Sequence, residues 1–290
     1  MTDTKPAFVL VHGAWHSSAT WKHILPLLEA QGHAAIAPDL PGAGANARRP
    51  LSYHRRPFDA NAFATEPSPN ARVTQEERTS AIADKISIMV RDTGQPVVLV
   101  GHSLGGVTVT AVAEAFPERI RAAVYLAALL LPYGVTVADA IEHPSMGGAK
   151  PSSLSVGDPA ALGALRVNPA AESQVYRQTF KSVLYGDLTD QAFDDALASL
   201  HCDEPAQVAG VPSPATANRF GRVPRHYIRC TGDQALPIAG QDYMISNTDD
   251  ILGGRTLVHT LETSHSPFYS QPQALADVLL EIAGSRKPQH

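Results

Sequence analysis

The chain has 290 residues, of which 44% are apolar and 18% are charged, and its net charge is −5. This composition is typical of a globular protein with a sizeable core, and the slight negative charge argues against a nucleic-acid partner, which would require a basic surface. No apolar run approaches the length of a membrane-spanning helix, and the run at residues 7–11 is too short for the core of a signal peptide.

Cysteine usage and motif content bear on location and cofactors. The chain has two cysteines, Cys202 and Cys230, in neither a metal-binding nor a redox spacing. Whether they pair stays open, but so few thiols fit a reducing compartment, and we expect a soluble, cytoplasmic protein. No dinucleotide fingerprint follows a candidate strand. We therefore expect neither a metal ion nor an organic cofactor.

Short apolar runs alternate with longer helical patterns along most of the chain. Unbroken apolar runs are typical of strands buried on both faces, and the six runs lie at residues 8–11, 34–37, 97–100, 123–126, 226–228 and 256–258. The helical patterns lie at residues 21–31, 74–91, 105–116, 237–246 and 271–282. This alternation predicts an α/β fold with a mostly parallel sheet of about six strands flanked by helices.

Two segments interrupt the alternation. Residues 42–73 are predicted to form a long irregular insertion, either disordered or docked on the mouth of the site or on a second copy of the chain. Its apolar side chains favour docking, which keeps a homodimer open, and they are Leu51, Tyr53, Phe58 and Phe63. Residues 132–222, with helical patterns at 170–184 and 190–200, are predicted to be a mainly helical cap over the carboxyl edge of the sheet. The predicted core is then residues 1–131 and 223–290.

The segment Gly101-His102-Ser103-Leu104-Gly105-Gly106 joins the most strongly apolar strand to a helix. This is the G-x-S-x-G pattern of a nucleophile elbow in the context that the motif requires. The serine occupies a strained turn that needs glycine neighbours, and the helix after it directs its N–H groups at a developing oxyanion. We therefore predict Ser103 as the nucleophile. The alternative is an ordinary strand-to-helix turn with an idle serine.

The loop after the first strand reads His12-Gly13-Ala14. In folds with this elbow, that loop supplies one backbone N–H to the oxyanion hole, and the residue after the nucleophile supplies the other. The predicted donors are Ala14 and Leu104, with His12 and Gly13 as supporting residues. The alternative is that His12 and Gly13 only end the strand.

The base must be chosen among 12 histidines. The acid and then the base follow the serine along the chain in such folds, which favours His265, in the loop after the last strand. His259 lies inside that strand and His290 at the terminus, whereas His12 and His16 belong to the oxyanion loop. His102 adjoins Ser103, and its side chain is expected to point away.

The acid is expected after the preceding strand, where Thr231-Gly232-Asp233 forms a glycine turn. Asp233 would fix the tautomer of His265 and stabilise its protonated form. The alternative is an aspartate that only stabilises the turn. Asp39 fits a turn role, and the later acids are expected on helix or loop surfaces: Asp242, Asp249 and Asp250.

These segments resemble those of the α/β-hydrolase superfamily, in particular the plant methylesterase and hydroxynitrile lyase group and bacterial pyrethroid-hydrolase-like esterases. The resemblance lies in residues 8–16, the elbow, the Asp233 turn and His265-Ser266-Pro267-Phe268. It fades in residues 132–222 and is absent from residues 42–73. It implies the α/β-hydrolase fold and a Ser-His-Asp triad.

Two positions bear on the reaction that the resemblance implies. The lyases of the group carry a threonine after the oxyanion-loop histidine and a lysine after the catalytic histidine, where this chain has Gly13 and Ser266. Ser266 cannot stabilise a cyanide leaving group electrostatically. We therefore expect a hydrolase that cleaves small to medium, hydrophobic carboxylic esters through an acyl-enzyme. A hydroxynitrile lyase or a C–C bond hydrolase on the same triad, and a catalytically inactive ligand receptor, are the alternatives.

Overall fold

Six parallel strands form the central sheet of the computed structural model, which describes residues 5–284. The strands of the chain are β1 (Phe8–Val11), β2 (Ala35–Ile36), β3 (Val97–His102), β4 (Ile120–Leu126), β5 (Ala164–Arg166), β6 (Asp203–Pro205), β7 (Arg225–Cys230) and β8 (Leu257–Leu261). The sheet order is β2-β1-β3-β4-β7-β8, and β5 pairs with β6 in a separate antiparallel ribbon. The predicted α/β fold with a parallel sheet of six strands is confirmed.

The helices connect the strands and cover both faces of the sheet. They are α1 (Leu25–Ala30), α2 (Leu51–His54), α3 (Ala60–Thr65), α4 (Gln75–Thr93), α5 (Gly105–Ala115), α6 (Val137–Glu142), α7 (Pro159–Leu162), α8 (Gln174–Leu184), α9 (Asp190–Ala198), α10 (Ala206–Gly210), α11 (Ile238–Leu252), α12 (Pro267–Ser270) and α13 (Pro272–Gly284). Helix α1 is shorter than the predicted 21–31, because a separate 3₁₀ turn occupies Ser18–Trp21. Within residues 5–284, no helix combines the length and apolar character that crossing a membrane requires.

Each sheet face has its own apolar layer, because successive side chains of a strand point to opposite faces. Val9 of β1 packs in the layer that includes α4, α5 and α11. Its neighbours Phe8 and Leu10 pack in the layer that includes α1 and α13. Both layers are continuous beneath the central strands, which explains why β1 and β3 are wholly buried. Close packing on both faces of the sheet therefore fixes the carboxyl ends of β1 and β3.

The 132–222 segment contains α6 to α10 and the β5–β6 ribbon. A third apolar cluster lies in this segment, and its centre is formed by buried residues of α8 and α9 such as Phe180 and Phe193. Ala235 and the partly buried Trp15, both from outside the segment, pack against the same cluster. The segment thus contacts the loops after β1 and β7. Its boundaries as a separate cap stay a prediction, as does the division of the core, whose residues 1–4 and 285–290, including His290, lie outside the described residues.

The 42–73 segment is packed onto the β5–β6 ribbon. Phe63 of α3 is 1% exposed and lies under the Arg166 guanidinium, 4.9 Å from the ring centroid. Arg166 donates to the backbone oxygens of Phe63 and Glu66 and forms a two-point ion pair with Asp203. Leu51 is 77% exposed, contrary to the expectation that it docks. Only part of the apolar set therefore anchors the segment.

The burial of Phe63 gives a stability test. We expect Phe63→Ala to lower the free energy of unfolding by about 3–5 kcal/mol, because the lost ring leaves a cavity against Arg166. Leu51→Ala, on an exposed side chain of the same segment, should change it by less than about 0.5 kcal/mol. Urea unfolding of both variants measures the difference. Equal losses at the two positions would contradict the packing of this segment.

A pair of histidines joins β7 and β8. His226 Nδ1 lies 3.2 Å from His259 Nε2, and the two rings are stacked. Burial lowers the pKa of His226 to about 4, with a further contribution from His259. Burial also lowers the pKa of His259. The shared hydrogen bond needs one neutral ring as acceptor, so the pair is suited to neutral pH.

This pair predicts loss of stability in mild acid. In the unfolded chain His226 would bind a proton near pH 6.5, whereas in the folded chain it resists protonation to about pH 4. The contribution of His226 to the free energy of unfolding is therefore fully present above pH 6.5 and is lost as the pH falls. At pH 5 the free energy of unfolding is lower by about 2 kcal/mol through this residue. His226→Gln should flatten the decline of unfolding free energy between pH 7 and pH 5. Parallel pH profiles for the two proteins would contradict this role.

Candidate active site

Ser103 lies at the turn between β3 and α5. Its φ angle is +53°, which is strained for a residue with a side chain. The turn is held from the neighbouring strand, because the Ser103 N–H donates to the Leu126 oxygen (3.2 Å) and the Ser103 oxygen accepts from the Leu129 N–H (3.0 Å). These bonds fix the serine at the carboxyl edge of the sheet.

The elbow packs directly against the loop after β1. A Cβ atom on Gly105 would lie 2.6 Å from the carbonyl oxygen of His12, and one on Gly13 would lie 2.8 Å from the Cβ of Ser103. Any larger residue at either position would push the two segments apart. Gly101 faces a similar limit, since its Cβ would lie 2.6 Å from a methyl group of Val109. Glycine is therefore required for this close approach.

The two predicted oxyanion donors flank this contact. Within residues 5–284, neither the Ala14 N–H nor the Leu104 N–H donates to a protein group. The loop is supported by His12, whose Nδ1 donates to the Gly13 oxygen (3.0 Å) and whose Nε2 accepts from the Leu40 N–H (3.2 Å). Burial lowers the pKa of His12 to about 4, so the ring is neutral at pH 7 and this tautomer is fixed. Both N–H groups are thus without a protein acceptor in the described residues, and their use by an oxyanion stays a prediction.

His265 and Asp233 are joined by a direct hydrogen bond. His265 Nδ1 lies 2.7 Å from Asp233 Oδ2, and both residues are buried. The other carboxylate oxygen, Oδ1, accepts from the N–H groups of Ala235 (2.7 Å) and Leu236 (2.9 Å). Because both of its oxygens accept hydrogen bonds from protein groups, Asp233 has a fixed orientation, and Nε2 is the ring nitrogen of His265 that the carboxylate does not contact.

The link between the elbow and His265 runs through His102. Nε2 of His102 donates to the His265 carbonyl oxygen (3.0 Å), and the ring centroids lie 4.6 Å apart. We expected this side chain to point away from the serine, and its contact with His265 was not predicted. In the described residues no hydrogen bond joins the Ser103 hydroxyl to His265.

The other acids considered from the sequence have different partners. Asp242 pairs with Arg229 at the surface, and Asp249 pairs with Arg225. Asp39 accepts the N–H groups of Ser18 and Ala45, which is the turn role predicted for it. Asp233 is therefore the carboxylate in contact with His265.

His16 is a buried polar residue of the loop after β1, and no contact was predicted for it. Its Nδ1 donates to the Ala14 oxygen (2.7 Å), and its Nε2 accepts from the Tyr185 hydroxyl (2.9 Å). Burial lowers the pKa of His16 to about 3 and that of His102 well below its usual value. These rings are neutral at pH 7 and act as hydrogen-bonding groups, not as charges.

Two carboxylates reach the site loops from the 132–222 segment. Asp187 accepts from the N–H and the hydroxyl of Ser264, next to His265. Glu204 accepts from the Trp15 N–H, next to Ala14. These contacts join residues 77 and 189 positions apart, and no local pattern in the sequence signals them. These two carboxylate contacts form the outer support of the site, and they were not predicted from the sequence.

A metal ion has no evident place in this arrangement. Among the described residues, no group of three or more His, Cys, Asp or Glu side chains is arranged to hold one. Cys202 and Cys230 are both buried and are not joined to each other.

Comparison with known proteins gives relatives along nearly the whole chain. A family model described as the alpha/beta hydrolase family matches residues 8–278. The pyrethroid hydrolase of Sphingobium wenxiniae is 29% identical, over 95% of this chain and 86% of that protein. Salicylic acid-binding protein 2 of Nicotiana tabacum is 31% identical, over 95% of this chain and 96% of that protein. Methylesterase 1 of Arabidopsis thaliana is 27% identical, over 96% of each.

The fold agrees with solved structures of the same groups. The crystal structure of a pyrethroid hydrolase from Sphingobium faniae aligns with a TM-score of 0.75 and 26% identity, covering 97% of this chain and 98% of that one. The matched family model, the sequence relatives and the shared sheet lead to one conclusion: this chain belongs to the alpha/beta hydrolase family.

Proposed function

We propose that this chain is a serine carboxylesterase in which Ser103 is the nucleophile, His265 the general base and Asp233 the residue that orients the base. The observation that carries the proposal is the 2.7 Å hydrogen bond between Asp233 and His265, at the sheet edge where Ser103 occupies its strained turn. Two relatives are named as a pyrethroid hydrolase and a methylesterase, which supports ester hydrolysis as the reaction. No cofactor is needed for it.

The proposed reaction has two halves. Ser103 Oγ attacks the ester carbonyl carbon while its proton passes to His265 Nε2, and the carbonyl oxygen becomes an oxyanion that accepts from the Ala14 and Leu104 N–H groups. Collapse of this intermediate breaks the bond to the alcohol, which leaves with the proton from His265. Water then attacks the acyl-enzyme, with His265 taking its proton, and the acid departs as Ser103 regains a hydrogen.

The substrate is proposed to be a small to medium, hydrophobic ester. One apolar cluster includes Leu104 and the partly buried Ala14, which adjoin the elbow and the loop after β1. The apolar cluster of the 132–222 segment includes Ala235 and contacts the partly buried Trp15. We propose that this segment acts as the cap and walls the acyl pocket.

The alternative reactions on the same triad are cyanohydrin cleavage and C–C bond hydrolysis. Gly13 lies against Ser103 with no room for a threonine side chain, and Ser266 is buried where a lyase would carry lysine. Both features favour hydrolysis. Comparing acid release from p-nitrophenyl butyrate with aldehyde release from mandelonitrile distinguishes ester hydrolysis from cyanohydrin cleavage. Aldehyde release faster than acid release would contradict the proposal.

The alternative of another class is an inactive ligand receptor, and one relative is named for binding salicylic acid. The Asp233–His265 pair favours catalysis, because a receptor does not need an oriented base. A fluorophosphonate probe distinguishes the two readings, since it labels only an activated serine. Absence of label on Ser103 in folded protein would favour the receptor.

We propose a cytoplasmic location for the protein. The two free, buried cysteines fit the reducing environment of the cytoplasm. The homodimer expected as one possibility stays a prediction, which sedimentation of the purified chain would settle.

The nucleophile is tested by Ser103→Ala. We expect kcat for p-nitrophenyl butyrate to fall by about 10⁴-fold or more, because the triad acts as a unit. Ser87→Ala, which removes a hydroxyl on α4, should keep the wild-type rate. Circular dichroism should show both variants folded. A loss of only about tenfold would mean that another group is the nucleophile.

The acid is tested by Asp233→Asn. We expect kcat to fall by about 10⁴-fold with little change in KM, since an amide can hold His265 in the wrong tautomer. Asp242→Asn, which alters a surface carboxylate paired with Arg229, serves as the matched control and should be neutral. A near-wild-type rate for Asp233→Asn would exclude the assigned role.

A further inference from the structure

The peptide unit between Ala14 and Trp15 is held at both ends. Its carbonyl oxygen, on Ala14, accepts from His16 Nδ1 at 2.7 Å. Its N–H, on Trp15, donates to Glu204 Oε2 at 3.3 Å. Because a peptide unit is planar, two anchors on opposite sides fix its orientation. The Ala14 N–H belongs to the preceding peptide unit, whose oxygen on Gly13 accepts from His12 Nδ1 (3.0 Å) and from the His16 N–H (3.3 Å). The two units meet at the Ala14 Cα, so the fixed Ala14–Trp15 plane restricts how far the Ala14 N–H can turn.

Trp15 itself is held by the 132–222 segment. Its φ angle is +62°, a conformation that costs energy for a bulky residue. Its indole N–H donates to the Leu165 oxygen of β5, and its carbonyl oxygen accepts from the His201 N–H, both at 2.8 Å. Together with the Glu204 bond, these contacts hold the strained residue in place.

Glu204 is in turn held by the core. It is 1% exposed and forms an ion pair through Oε1 with Nη1 of Arg78, which is 2% exposed and belongs to α4. Nε of Arg78 donates to the Pro41 oxygen at 3.1 Å. A chain of contacts therefore runs from α4 through β6 to the loop after β1.

Stability alone does not account for this buried ion pair. Removing two charges from water is costly, and apolar residues of similar size often replace such pairs without loss of stability. Nη2 of Arg78 even lacks a hydrogen-bond partner among the described residues. An apolar pair could fill the space, but it could not accept from the Trp15 N–H.

We propose that Glu204, oriented by Arg78, is a positioning residue that restrains the direction of the Ala14 N–H for the oxyanion through the neighbouring Ala14–Trp15 peptide. The inference rests on the proposed esterase function, because only a reaction with an oxyanion requires that donor. Glu204 touches neither the substrate nor Ser103 in this scheme. It acts through the Ala14–Trp15 peptide, and so it should affect the transition state more than substrate binding.

The test compares three double variants of the full chain. Arg78→Met/Glu204→Leu removes the charges and the acceptor, whereas Arg78→Met/Glu204→Gln removes the charges and keeps an oxygen for Trp15. Arg166→Met/Asp203→Leu is the matched control, because it removes the other buried ion pair of the β5–β6 ribbon. Arg166 donates to backbone oxygens of the 42–73 segment and, within residues 5–284, makes no hydrogen bond to the loop after β1.

We expect the leucine variant to lose about ten- to a hundredfold in kcat/KM for p-nitrophenyl butyrate. This is less than the loss of about 10²- to 10³-fold when an oxyanion donor is removed, because the Ala14 N–H is misdirected and not absent. Its inhibition constant for trifluoromethyl octyl ketone, which forms an oxyanion on the serine, should rise by the same factor. KM for p-nitrophenyl butyrate should change by less than about twofold, since the ester carbonyl carries no full negative charge in the ground state. The glutamine variant and the control should stay within about threefold of wild type.

Several outcomes would overturn the inference. They are a wild-type rate in the leucine variant, a glutamine variant as slow as the leucine variant, or an equal loss in the control. If the leucine variant does not fold, Glu204→Met and Glu204→Gln replace it, since both strand the Arg78 charge and only methionine removes the acceptor. An equal rate for those two would also contradict it. Folded wild type without esterase activity would instead contradict the proposed function.

Discussion

The proposed site depends on the contact between two backbone segments, the loop after β1 and the elbow after β3. The strands are adjacent and parallel, with Val11 opposite Gly101, so both turns emerge at the same edge. Only glycine at positions 13 and 105 lets them meet. The strain at Ser103 persists because Leu126, the last residue of β4, and Leu129, just after it, are hydrogen-bonded to the turn. The proposed placing of Ser103 next to the Ala14 N–H therefore requires that this contact stays closed.

The interior around this contact is polar but carries little net charge. His12, His16 and His102 are kept neutral by burial, and each has a carbonyl oxygen as hydrogen-bond partner. The other deeply buried ions occur as opposite pairs. Asp233 is thus the carboxylate whose charge acts on His265 directly. In such surroundings the oriented backbone dipoles beside Ser103 act with little screening.

The central sheet and the core of the site could be predicted from the sequence, because their signals are local. A wholly buried strand reads as an apolar run, and Ser103 stands in a motif whose strand and helix are adjacent to it in the chain. The outer support could not be predicted. β5 and β6 have three residues each, too few for a pattern, and Glu204 meets Trp15 across 189 positions.

The 42–73 segment shows the same limit. Its apolar side chains were expected to dock together, yet Phe63 is buried and Leu51 is exposed. Composition indicated that the segment packs, but which side chain faces inward depends on the position of Arg166, about a hundred residues later. In short helices such as α2 and α3, periodicity does not identify the buried face.

The placement of the indole rings has an optical consequence. The chain has two tryptophans. Trp21 is fully buried beneath the sheet, whereas Trp15 is partly buried and packs against the apolar cluster of the 132–222 segment. Movement of that segment away from the sheet would expose the Trp15 ring to water and shift its fluorescence emission to longer wavelength. The emission wavelength of Trp21 would stay constant. The protein thus carries an intrinsic reporter of opening and an internal reference, with no label added.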